Sequence, residues 1–278
     1  MTQDRSILIT GCSSGIGLCV AQGLHERGYQ VFASARQRDD VDRLRDTGLN
    51  ALQLDLRDST SIKNAVKQVL HETGGNLYAL FNNGAYGQSG AVEDLTRDIL
   101  RAQFETNLFG WHELTNMVVP VMRRQGYGRI IQNSSVLGLV SMPFRGAYNA
   151  SKFAIEGLTD TLRQELSTTS DNIYVSLIEP GPITSRFRAN ALTSLKKNVD
   201  IDNSVHRDYY NKVIERLSSE GPVVPFTEPP EAVLKRVIHA LESRKPRVRY
   251  YVTVPTYLFA YLRCILPFRL MDKILTSV

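Results

Sequence analysis

The run Thr10-Gly11-Cys12-Ser13-Ser14-Gly15-Ile16-Gly17 follows an apolar segment, Ile7 to Thr10, and opens an amphipathic stretch over 15–27. Glycines here permit a tight turn and bring the backbone N–H groups of a helix N-terminus close to a pyrophosphate. A first strand that feeds such a turn and then a first helix admits few folds. The alternation continues down the chain. Strands are predicted at Ile7 to Thr10, Val31 to Ser34, Ala51 to Leu54, Tyr78 to Phe81, Arg129 to Asn133 and Tyr174 to Ile178. Helices are predicted near 15–27, 59–72, 97–125 and 145–169. Nearly continuous apolar strands between helices imply an α/β protein: a parallel sheet with helices on both faces, three layers in all. Arg247 to Val254 offers a last strand, making about seven.

A chain of 278 residues can bury one large core, and neither a repeat nor a second domain interrupts 1–278. Beyond Ile178 the pattern loosens. Residues 182–228 are rich in Ser, Asn, Arg, Lys and Pro, without a strong period before a helix near Glu231 to Leu241. An irregular stretch over 184–230 reads as a substrate loop or lid, or as a plain solvated excursion. The extension over 250–278 is apolar and aromatic. Arg249 and Arg263 bracket thirteen uncharged residues, short of the ~20 that a spanning helix needs, so no transmembrane segment is expected. Three roles stay open for it: peripheral contact with a membrane, a cap over the substrate pocket, or packing within the fold or between subunits.

The net charge of +5 is mild and diffuse, which argues against nucleic acid as a partner. Cys12, Cys19 and Cys264 form neither a C-x-x-C pair nor a metal set with the five histidines. Three unpaired thiols suit a reducing compartment, and the polar start M-T-Q-D-R-S carries no secretory signal; the expectation is cytoplasmic. Cys12, in the glycine-rich turn, reads as a small buried thiol rather than a nucleophile.

Tyr148 and Lys152 stand four apart in G-A-Y-N-A-S-K-F-A, with Ser135 thirteen positions upstream. Four residues apart on a helix share one face, so the phenol and the ammonium project side by side. A phenol titrating near ~10 needs a neighbouring positive charge to act at neutral pH. At the end of the second strand, Ala33-Ser34-Ala35-Arg36 offers a guanidinium, with no carboxylate before Asp39. A carboxylate there grips the ribose 2′-hydroxyl of NAD, whereas a guanidinium holds a 2′-phosphate. Arg36 therefore selects NADP(H) over NAD(H), with Ser14 or Arg38 assisting, unless it merely begins a polar helix. Asp55, followed by Leu56, closes the third strand within reach of an adenine amino group. Asn82-Asn83-Gly84-Ala85 closes the fourth, leaving room for a ribose.

T-G-x-x-x-G-I-G at 10–17, N-N-x-x at 82–85, Asn107, Ser135, Tyr148-x-x-x-Lys152 and Pro180-Gly181-Pro182-Ile183-Thr184 together resemble the short-chain dehydrogenase/reductase family. The resemblance runs from Ile7 to about Ile183. G-C-S-S-G-I-G, the Arg-ended strand and L-I-E-P-G-P-I are similar to the branch with 17β-hydroxysteroid and retinol dehydrogenases; K-P-R-V-R-Y through L-P-F-R-L-M-D-K-I-L is similar to bacterial NADP-dependent aldehyde reductases. One departure is the order Gly84-Ala85, where the family has Ala-Gly. The resemblance implies a Rossmann-like doubly wound sheet and hydride transfer between nicotinamide and a small carbonyl or alcohol. An apolar aldehyde, retinoid or steroid would be the substrate, and reduction the direction. It implies Tyr148 as proton donor, Lys152 on the phenol and the nicotinamide ribose, Ser135 on the substrate oxygen and Asn107 on a water. Gly11, Ser13, Ser14, Gly15, Ile16 and Gly17 would hold the pyrophosphate; Pro180, Gly181, Ile183 and Thr184 would wall the nicotinamide. Relatives are mostly homodimers or homotetramers. Asn107 in T-N-L-F-G has capping or kinking of a helix as its lesser reading, while Phe144, Phe187, Tyr209, Tyr210 and Phe226 are equally open to pocket or core. A sugar-nucleotide epimerase shares the Tyr-Lys pair, but its glycines are spaced G-x-x-G-x-x-G; a non-catalytic NADPH sensor has no need of the full Asn, Ser, Tyr and Lys set.

Overall fold

Seven parallel strands form one sheet in the order β3-β2-β1-β4-β5-β6-β7. They are β1 (Ser6–Ile9), β2 (Gln30–Ala35), β3 (Asn50–Gln53), β4 (Ala79–Asn82), β5 (Gly128–Asn133), β6 (Ile173–Pro180) and β7 (Arg249–Val252). The computed structural model describes residues 5–219 and 224–277. Residues 1–4 of the polar start and 220–223 of the expected loop lie outside the described residues.

Alternation along the strands sorts the core into two layers. Ile7, Ile9, Val31 and Ala33 pack with Val20 and Leu24 of α1 (Gly15–Glu26), Val41 of α2 (Arg38–Asp46) and Val233 and Val237 of α9 (Glu231–Glu242). Leu8, Phe32, Leu80 and Ile130 face the other way. They meet Ile62 of α3 (Ser59–Glu72), Trp111 and Val118 of α5 (Gly110–Gln125) and Ile155 of α6 (Gly146–Ser167). Each such burial contributes about 1.5–3 kcal/mol, so both layers hold the strand ends rigidly. The strand order reverses between β1 and β4, which opens a crevice at the carboxyl edge of the sheet.

Three expectations need correction. The helix read as continuous over 97–125 is α4 (Arg97–Phe104), a π turn over Glu105–Phe109, and α5. The loose stretch after Ile178 contains α7 (Phe187–Asn198) and α8 (Arg207–Ser218), each with only two buried residues, too narrow a face to show as a period. α2 escaped notice for the same reason: only Val41 and Leu44 of its nine residues are buried, among seven charged ones. The apolar extension forms α10 (Val254–Ile265) and α11 (Phe268–Ser277). Their inner sides pack with Val136, Leu137 and Val140, so within-fold packing is realised.

Candidate active site and nucleotide cleft

The turn after β1 is built on close backbone approach. Gly11 has φ +73°, and a Cβ there would lie 2.5 Å from Gly84 Cα. A Cβ on Gly17 would lie 2.2 Å from the Gly11 carbonyl oxygen. Thr10 Oγ1 accepts from the N–H groups of Asn83 (2.9 Å) and Gly84 (2.8 Å), tying β1 to β4. Trp111 Nε1 donates to the Gly84 carbonyl at 2.8 Å. The Gly84-Ala85 order is thus accommodated: Ala85 packs partly buried in the α3–α5 layer. Ser14 caps α1 without a side-chain bond, which leaves first-turn N–H groups for an anion. Ser13 offers its carbonyl to Arg43 Nη2 at 3.1 Å. From the opposite side, Ser185 reaches Gly15, where a Cβ would meet its Cβ at 3.0 Å.

Arg36 and Asp55 line one cavity of about 590 Å³ with Gln37, Gln53, Asp58 and Thr60. Arg43, pairing with Asp40 at 2.6 Å while touching Ser13, adds a second cation at that end. It went unread because its role depends on the turn of α2. The Leu56 side chain, next to Asp55, is buried with Leu54 and Ile62. The Asn82 side chain is fully buried and donates to Thr115 Oγ1 at 3.0 Å. Asn83 is the partner that faces the turn, donating to the carbonyls of Thr10 (2.9 Å) and Gly11 (3.2 Å).

Asn83 also joins the cleft to the acid-base pair. Its Oδ1 accepts from Asn133 Nδ2 at 2.8 Å, and the Asn133 carbonyl accepts from Lys152 Nζ at 2.7 Å. Lys152 is 1% exposed. Its Nζ lies 4.6 Å from the Trp111 ring centroid and 5.5 Å from that of Tyr148. The phenol and the ammonium therefore do meet, at the ends of β4 and β5. Ser135 opens a short 3-10 turn over Val136–Gly138, accepting from Leu137 N–H at 3.1 Å, and stands near enough to the phenol to favour its ionised form.

The electrostatics correct the expected acidification. Burial pushes Tyr148 up to about 12, against pulls from the Ser135 hydroxyl and the Arg145 cation. Burial likewise lowers Lys152 to about 7, against the Glu156 carboxylate. Among the influences on the phenol, burial is the largest and the pulls that oppose it come from Ser135 and Arg145. Arg145, at the N-cap of α6, was missed because only the fold turns it toward the phenol. Its own value falls to about 10 through burial and Arg216.

Asn107 is fully buried in the π turn. Its Oδ1 accepts from Tyr86 N–H at 3.2 Å, and its Nδ2 donates to the Tyr86 carbonyl at 3.0 Å and Ser151 Oγ at 3.2 Å. Pro180 ends β6, and Gly181 N–H donates to Val252 O at 3.1 Å. A Cβ on Gly181 would meet Thr253 Oγ1 at 2.2 Å. Ile183 packs on the α1 layer, and Thr184 N–H donates to Glu228 O at 3.0 Å. Of the five aromatics, Phe187 reaches Tyr148, with ring centroids 5.2 Å apart. Phe144 stacks on Tyr209 at 3.8 Å beside Tyr210, whose hydroxyl donates to Asp94 at 2.6 Å. Phe226 is exposed. Cys12 is buried, its thiol donating to Ile9 O and pushed up to about 12 by desolvation. It is an inert core group.

The sequence model of the short chain dehydrogenase family matches residues 5–196. This chain belongs to that family. It is 42% identical over 272 residues to an uncharacterized oxidoreductase, YbbO, of Escherichia coli K12, covering 98% of this chain and 94% of the relative. It is 33% identical to the human (Homo sapiens) 17-beta-hydroxysteroid dehydrogenase type 1, over 89% of this chain and 76% of that one. Among solved structures, an actinorhodin polyketide ketoreductase with NADPH superposes with a TM-score of 0.72 at 26% identity, covering 91% of this chain and 97% of that one. The family's nicotinamide dinucleotide suits this chain: no side chain caps the first-turn N–H groups of α1, and a cavity lined by Arg36 and Asp55 opens beyond β2, which together match an anionic dinucleotide.

Proposed function

We propose that this oxidoreductase is an NADP(H)-dependent reductase of apolar aldehydes or ketones. The observation that carries the reading is the phenol of Tyr148, with Ser135 close enough to pull its titration down and a buried Lys152 one turn away, beside the glycine-rich turn. Ser135 holds the carbonyl oxygen of the substrate, and Tyr148 gives that oxygen its proton, or takes one from an alcohol in the reverse direction. Lys152, lowered to about 7, is matched to passing protons near neutral pH. Asn107 steadies the segment around Tyr86 and holds a water for that relay. A nicotinamide, when bound, supplies the hydride. Pro180, Gly181, Ile183 and Thr184 border it, while Gly11 through Gly17, with Asn83 and Gly84, receive the pyrophosphate and ribose.

NADP(H) over NAD(H) is supported by Arg36 in a cavity at the end of β2, by Arg43 near Ser13, and by the NADPH of the ketoreductase relative. An apolar substrate is supported by Phe187 against Tyr148, by the packing of Tyr148 with Met142 and Val140, and by the steroid dehydrogenase relative. Three free cysteines support the cytoplasm.

The test is oxidation of NADPH or NADH by purified chain over a panel of aldehydes, steroid ketones and retinal. Tyr148→Phe is expected to bind NADPH as the parent does and to lose turnover by about 10²- to 10⁴-fold. Full NADPH binding with no consumption by any carbonyl would establish the sensor instead. Arg36→Asp is expected to move preference from NADPH toward NADH; unchanged preference removes Arg36 from the selector role.

A further inference from the structure

α10 is apolar on two opposite sides. Inward, Thr256 and Phe259 are buried, with Phe259 among Val136, Leu137, Met271 and Leu275. Outward, Val254, Leu258, Tyr261 and Ile265 are 54%, 51%, 70% and 72% exposed, and their spacing of four, three and four puts them on one face. Phe268, at the start of α11, continues the stripe at 90% exposure. α9 on the same molecule shows the ordinary alternative: its exposed positions are Glu231, Lys235, His239 and Glu242. Single exposed apolar residues are common, whereas a contiguous stripe marks a surface that something covers.

The charges say what covers it. Beside the stripe stand Arg263, Arg269 and Lys273, all exposed, against the single carboxylate Asp272. A second copy meeting this face about a two-fold axis would bring like cations together. An anionic lipid surface matches both features, with aromatic rings at headgroup level and cations among the phosphates. No helix among the described residues is long and apolar enough to cross a membrane, so the contact lies in the interfacial plane.

We propose that α10 and α11 dock this protein on an anionic bilayer surface, with Leu258, Tyr261, Ile265 and Phe268 entering the headgroup boundary. The proposal goes beyond the reductase reading and stands without it, since its test needs no turnover. The full chain is sedimented with vesicles of phosphatidylcholine, with and without phosphatidylglycerol. Binding is expected on the phosphatidylglycerol vesicles, weakening as salt rises. Ile265→Asp with Phe268→Asp should lower the partition at least about tenfold, and Arg269→Gln with Lys273→Gln about 20- to 30-fold. Both double variants should keep the parental melting temperature. A Phe268→Trp variant should shift its emission to the blue on the same vesicles, an independent readout if an aspartate variant fails to fold. Absence of vesicle binding, or binding equal in all variants, overturns the proposal. So does an Asp variant that breaks an oligomer, by light scattering, when the parent binds no lipid.

Discussion

Burial acts in opposite directions on the two central ionisable groups, because it penalises whichever form is charged. The Tyr148 phenol rises to about 12 and the Lys152 ammonium falls to about 7. The lysine has a measurable consequence for stability. In the unfolded chain it holds its proton up to its ordinary 10.5, and in the folded chain only to about 7. Below about 7 both states are protonated and the buried charge is fully destabilising. Between about 7 and 10.5 the unfolded state binds more protons, so stability rises with pH, and above that range the penalty is gone. Replacing the charge by Lys152→Met is therefore expected to remove this slope. The variant's stability relative to the parent should fall as pH rises from about 6 to about 10. Urea midpoints across that range check it; a difference independent of pH would show that the buried amine titrates normally.

Among the elements, the π turn between α4 and α5 matters most for the site. It aims Asn107 at both backbone groups of Tyr86 and at Ser151. π turns inside α-helical runs recur at functional sites. Asn107→Ala leaves the Tyr86 N–H without its partner, while the Tyr86 carbonyl keeps Gln103 Nε2 and Ser151 Oγ keeps the Tyr148 carbonyl; the expected loss is about 1–3 kcal/mol, or roughly 3–10 °C in melting temperature. Calorimetry checks it; a change under about 2 °C would reduce Asn107 to a surface-like helix cap. The residue was legible as a candidate, since T-N-L-F-G breaks an otherwise regular stretch, but its partners were not. Tyr86 is 21 positions away and Ser151 is 44. α7 and α8 show the same limit. Their buried faces are two residues wide, so contact with the body of the fold, rather than periodicity, makes them helices.

Across the whole molecule, Arg249 on β7 binds carboxylates from two other elements: Glu156 and Asp160 of α6 and Glu179 of β6. Glu179 sits 2.7 Å from the guanidinium, fully buried, and burial beside Glu156 holds it above the usual carboxyl range. This knot fixes the end of β6, where Pro180 and Gly181 enter the site, to the helix that carries Tyr148 and Lys152. Arg249→Met leaves buried carboxylates without their cation, a loss of about 3–5 kcal/mol. Glu179, already held up to about 8 with the cation beside it, would then keep its proton to higher pH in the folded chain, so the loss should grow as pH rises from about 7 to about 9. Melting curves at the two pH values check the sign; a constant deficit would show that ordinary packing, and not charge, is what Arg249 provides.

Local chemistry decided what the chain by itself made readable. Glycines where backbone must touch backbone, apolar runs covered on two faces, and Tyr148 one turn from Lys152 follow from short-range rules, and the sheet and the placing of those two side chains on one helix were legible from them. Only the tertiary structure decided which asparagine faces the turn, that Leu56 is buried, that Arg145 and Glu156 attend the pair, and that burial outweighs the pulls of Ser135 and Arg145 at the phenol. Those outcomes depend on desolvation and on contacts between segments far apart in the chain, which no local pattern encodes.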